Sequence, residues 1–212
     1  MKTILRVLIA GIVIAAAPVS ATNLISNGDL STGNLSGWTT TGNASLASTP
    51  FFGFNSPSWG RYFVAFNTGN SPANGTLAQT IATNAGTAYS LAFNYGVNWY
   101  DAGVGSLGQS IIASVVDSTT HNVLATTTIF SHSTALVTSA LNFTASSNGS
   151  IVRFTDVASN NSYNVDGGID HVSVTAAAVP EPASWAMMFA GFGAIGFVMR
   201  HRAKVSTTVA FA

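Results

Sequence analysis

The chain of 212 residues has no cysteine, no glutamate before position 181 and no lysine between positions 3 and 203. The first absence excludes a disulfide framework, a thiolate metal site and a thiol nucleophile. The other two remove the residues that usually cover helix surfaces, so the body of the chain reads against helices. Charge of either sign is scarce, at 7% of residues. It is also segregated: Lys2 and Arg6 stand at one end, Arg200, Arg202 and Lys204 at the other, and only Arg61 and Arg153 between. Against these two cations the body carries Asp29, Asp101, Asp117, Asp156, Asp166 and Asp170, a balance of about −4 over residues 22 to 179. A surface that displaces phosphate counterions needs a basic face, and this body has none, which excludes a nucleic-acid partner.

What is present begins with an address. Lys2 and Arg6 precede an apolar run from Val7 to Ala17, followed by Pro18 and the small-residue ending Val19-Ser20-Ala21. This is the three-part pattern of a secretory signal peptide over residues 1–21, with cleavage after Ala21; the alternative is an uncleaved anchor, for which the run is short. From residue 22 the composition turns to Asn, Thr, Ser, Gly and Ala with spaced aromatics. Alternating runs at 61–67, 76–82, 89–97, 110–118, 123–130, 135–145, 150–158 and 168–176 are rich in β-branched and aromatic residues and are separated by Gly/Asn/Ser clusters. They predict an all-β domain over residues 22–175, an antiparallel β-sandwich of jelly-roll type.

Both ends of that domain carry a resemblance. Asn23, Leu24, Asn27, Gly28, Gly33, Gly37 and Trp38 in the opening stretch, and "IDHVSVT" (169 to 175) at the close, resemble secreted jelly rolls of the galactose-binding-like and carbohydrate-binding-module type. In many such domains an opening glutamate and a closing aspartate share a structural calcium. Here Ser31 stands at the glutamate position and Leu30 at the usual aromatic. The resemblance thus leaves Asp170 as the candidate metal ligand, with a turn or strand-edge role as its alternative. No other cofactor is implied.

Motifs of catalysis are thin. "GVGSLG" (103 to 108) has the spacing of a dinucleotide fingerprint but runs into a β-type stretch instead of a helix, so it reads as a hairpin loop. His121, His132 and His171 are spread along the chain, and the glycosidase requirement of two facing carboxylates rests on aspartates alone. Asp166 and Asp170 are close in sequence, across a Gly-Gly turn. The reading is of a protein that is not an enzyme. Two aromatic clusters, 51–63 and 94–103, suggest binding instead: Trp59, Trp99, Tyr100 and Asp101 form a candidate saccharide platform, because sugar C–H faces stack on rings while carboxylates bind hydroxyls. The alternative is that these rings, with Phe63, Phe66, Phe93 and Tyr95, fill and cap the core.

The C-terminal stretch gives the sharpest signal. Pro180 and Pro182 hold a linker over 176–182 in extended conformation. An uncharged run at 183–199 predicts a single transmembrane helix about 25 Å long, and the basic tail at 200–212 places its end in the cytoplasm. Pro180-Glu181-Pro182, Trp185, Ala186, the Gly-Phe-Gly of 191 to 193, and Arg200 with Arg202 closely resemble the PEP-CTERM sorting signal in its Pro-Glu-Pro-x-x-Trp-Ala variant. That resemblance implies the secretion machinery and an exosortase as partners, with the membrane held through the helix. It also implies passage through the inner membrane of a Gram-negative bacterium to the cell surface or medium, in association with exopolysaccharide. "VSTTVAFA" (205 to 212) extends beyond the usual end of such a signal.

Overall fold

In a computed structural model of the protein, residues 22–51, 59–70, 72–98, 108–160, 165–177 and 182–201 are described. The alternating runs form strands at nearly their expected positions: β3 (Tyr62–Phe66), β4 (Thr76–Ala82), β5 (Ala88–Val97), β6 (Gln109–Asp117), β7 (Val123–Ser131), β8 (Val137–Thr144), β9 (Gly149–Asp156) and β10 (Gly167–Ala176). Two short strands precede them, β1 (Thr39–Thr41) and β2 (Ala44–Ser48). All pairings are antiparallel, in two five-stranded sheets ordered β1-β4-β9-β6-β7 and β2-β3-β10-β5-β8. The expected sandwich is therefore the observed fold.

Period-two alternation places one set of side chains between the sheets. Leu91, Phe93 and Tyr95 from β5 meet Ile111, Ala113 and Val115 from β6 and Val152 and Phe154 from β9, all at most 1% exposed. Phe93 and Phe154 cross the gap edge to face, with centroids 4.9 Å apart, a geometry worth about 1 kcal/mol beyond the burial itself.

The opening segment is sewn to the last strand. Leu24 N donates to Val174 O at 2.8 Å and Val172 N to Gly28 O at 2.9 Å, while Asn23 Oδ1 accepts from Val174 N at 2.9 Å. A Cβ on Gly28 would lie 2.0 Å from Val172 O, so only glycine permits this approach. Trp38 Nε1 donates to Asn27 O at 3.0 Å, and Leu30, in the place of an aromatic, is buried.

The sandwich lies within one compact unit, Ala21–Ala177, and the C-terminal helix α1 (Pro182–Arg200) within another. Among the described residues no helix is long and apolar enough to cross a membrane. α1 covers the uncharged run expected at 183–199, contains Gly191, Gly193 and Gly196, and is closed by Arg200. The signal peptide with Ala21 lies outside the described residues.

Candidate functional site

The sandwich has a second apolar cluster, on the outer face of the β2-β3-β10-β5-β8 sheet. Ala47, Trp59, Phe63 and Ala65 are buried there, with Phe51 and Leu136 packed against them. Phe63 sits outside because Val64 and Phe66 take the inward positions beside it. The indole of Trp59 lies 4.9 Å from the Phe63 ring and over Gly96, where a Cβ would come within 2.9 Å of Trp59 Cζ2. Its Nε1 donates to Thr134 O at 3.1 Å. Trp59 is 6% exposed, so the expectation of an open sugar-stacking face is corrected: the ring caps the sheet. The other platform residues, Trp99, Tyr100 and Asp101, lie outside the described residues.

The closing strand supplies a different candidate. A register shift in β10 between Asp170 and Ser173 turns the chain at His171, whose φ is +53°. Asp170 is fully buried. Its Oδ2 accepts from Gly60 N at 2.8 Å and lies 3.0 Å from His171 Nδ1, and its Oδ1 accepts from His171 N at 2.7 Å. Burial pushes the carboxyl above its ordinary pKa, with the Gly60 N–H and His171 opposing. These contacts fix the imidazole on one side, and His171 lines an open cleft of about 500 Å³ whose other polar residues are Asn23, Asn27, Asp29 and Ser173. Asp29 stays below the ordinary carboxylate range because the Ser31 N–H and hydroxyl stabilise its charge. The cleft thus offers an ionised carboxylate and an oriented imidazole, groups that accept from and donate to hydroxyls.

The same geometry tests the calcium implied at Asp170. Both oxygens already accept from N–H groups, one of them also faces an imidazole, and Ser31 stands where the second carboxylate belongs. Among the described residues no three His, Cys, Asp or Glu side chains are grouped to hold a metal ion. The donor set at Asp170 does not fit calcium, because neither carboxylate oxygen is free to turn to an ion. Nor do Asp166 and Asp170 face each other as an acid–base pair: Asp166 Oδ2 accepts from Asn98 Nδ2 at 2.9 Å, whereas Asp170 is bound to Gly60 on the outer face. Of the other histidines, His121 lies in the turn after β6 and His132 beside Phe130.

On α1 the apolar residues surround the whole helix. Trp185, Phe189, Phe192, Ile195, Phe197 and Met199 are all exposed. Arg200 closes the last turn, where a cation complements the helix dipole. Pro182 opens the helix and Ala186 lies in its first turns, while Pro180, Glu181 and Arg202 lie outside the described residues.

Solved structures that the sandwich is similar to in fold include carbohydrate-binding modules. TmCBM61, solved in complex with β-1,4-galactotriose, superposes with a TM-score of 0.56 at 16% identity, over 74% of this chain and 100% of that one. The tandem CBM22-1–CBM22-2 domain of Paenibacillus barcinonensis Xyn10C gives 0.50 at 14% identity, over 79% and 49%. At these identities the likeness is one of fold. No curated protein matches the chain. Residues 178–203 match the PEP-CTERM protein-sorting motif, so the chain joins a jelly-roll body to a protein-sorting signal.

Proposed function

We propose that this is an exported, non-catalytic envelope or matrix protein. An exosortase processes it at Pro180-Glu181-Pro182, and its sandwich remains at the surface of a Gram-negative cell in contact with exopolysaccharide. The observation that carries the reading is the sorting motif at 178–203 directly after the last strand of the sandwich. Glu181 is the charge between two rigid prolines, and the uncharged helix with its basic end is the part handed to the sorting machinery. The low charge and Asn/Ser/Thr-rich composition suit a hydrated matrix.

A second reading, that the body itself binds saccharide, is favoured by the cleft at His171. Asp29, His171 and Ser173 offer hydroxyl-binding groups there, and the fold is one that holds a galactotriose in TmCBM61. Affinity electrophoresis of the full chain through gels containing β-1,4-galactan or the host's own exopolysaccharide tests it. Retardation is expected in at least one gel, with a loss of roughly tenfold or more in affinity for Asp29→Ala/His171→Ala. Equal mobility in every gel would leave the surface protein a structural component only.

A further inference from the structure

At the end of the sandwich where β6 begins, the space between the sheets is polar. Phe66, Gly167 and Val97 are neighbours across one sheet, so Asn67, Asp166 and Asn98, each one residue beyond, come together at its end. The other sheet contributes Gln109 and Asp156; Asp156 stands opposite Ile111, two residues along the inward face from Gln109. All five side chains are at most 6% exposed.

Asn67 Nδ2 donates to Gln109 Oε1 at 3.2 Å, and Gln109 Nε2 to Val165 O at 2.9 Å. Asp156 Oδ1 accepts from Val157 N at 3.0 Å and Asn160 Nδ2 at 2.6 Å. Among the described residues two buried oxygens are left with no partner, Asn67 Oδ1 and Asp156 Oδ2. Each would cost about 1–3 kcal/mol if nothing met it. Charge is out of balance as well. Asp156 and Asp166 are buried here, while Arg61 is exposed and stacks on Tyr62, and Arg153 sits on the outward side of β9 between the buried Val152 and Phe154. A water molecule would satisfy the oxygens but leave the charge; a cation answers both. The available atoms are oxygens only, which selects a hard ion over a transition metal.

We propose that this end of the sandwich binds a divalent hard cation of calcium type through Asn67 Oδ1 and Asp156 Oδ2, with water completing the coordination. The site is distinct from Asp170 and independent of the saccharide reading. With two protein oxygens its affinity belongs to the weak range of extracellular modules, roughly 10⁻⁴–10⁻³ M.

The test uses the full chain after EDTA treatment. Millimolar Ca²⁺ is expected to raise the melting temperature above ionic-strength-matched NaCl. Tb³⁺ is expected to give emission sensitised by Tyr95, whose hydroxyl lies beside Gly167 at this end of the sandwich, and Ca²⁺ should quench that emission by competition. Asp156→Asn should fold, since its amide oxygen can keep the hydrogen bonds from Val157 N and Asn160 Nδ2, and should lose both responses; Asn67→Asp should bind Ca²⁺ roughly tenfold more tightly. A wild-type protein without a Ca²⁺ or Tb³⁺ response overturns the proposal. So do responses that survive Asp156→Asn unchanged, which would move the ion elsewhere, and a melting temperature that still rises on acidification in Asp166→Asn without Ca²⁺, which would make a proton on Asp156 the answer.

Discussion

Strand β6 runs between two ends of the sandwich that bury the same kind of group in opposite ways. At its C-terminal end Asp117 is fully served. Its Oδ1 accepts from Thr119 N and Thr120 N, each at 2.8 Å, and its Oδ2 accepts from the Ser146 hydroxyl. Those donors, the Ser146 hydroxyl first, hold its pKa well below the ordinary carboxylate range. At the N-terminal end of β6, Asp156 and Asp166 are raised, chiefly by burial, Asp166 to about 6. A tight turn supplies its own N–H donors to a carboxylate within three residues; the inside of a sandwich supplies few. One end is a closed structural device, and the other is an acceptor-rich space that asks for something from outside.

Removing the served carboxylate should break this contrast most severely. Asp117→Ala strands two turn N–H groups and the Ser146 hydroxyl, and thermal unfolding should occur roughly 5 °C or more below wild type. The loss should be the same with and without Ca²⁺; a loss that calcium repaired would mean that the two ends are not independent.

A smaller effect separates the ends by pH. A carboxyl with a lowered pKa contributes stability that is complete above its ordinary value of 3.8 and is lost as pH falls, which is the case of Asp117. A raised carboxyl contributes fully below 3.8 and loses that contribution as pH rises through about 6, which is the case of Asp166. In chelator the melting temperature should therefore drop by roughly 1–3 °C between pH 4 and pH 7, and Asp166→Asn should flatten that slope while leaving the acid limb set by Asp117. An unchanged slope in the variant would remove Asp166 from the account.

Much of the fold is legible in the pattern of residues. The run at 76–82 coincides with β4, and most of the other seven agree with their strands to within one or two residues at each end. β1 and β2 escape because "TTT" and "ASLAS" show little alternation; they are strands through their partners, β4 and β3. The site was less legible. Trp59 stands beside Pro, Ser and Gly, which reads as an open loop, yet it packs over Gly96. The clue was that glycine inside an otherwise alternating strand, a mark of close approach. The cleft joins Asp29 to His171, and the polar end joins Asn67 to Gln109. Both depend on strand register, which alternation alone does not supply. The C-terminal stretch is readable as a sorting signal because its information is in consecutive residues.

The central claim is that the sandwich is delivered by export and by removal of the segment that follows it. Intact mass of the protein from the envelope and the medium of its native host tests this directly. The account predicts a species that begins at Thr22 and ends near Pro180. A species that still ends at Ala212 in both fractions would contradict it.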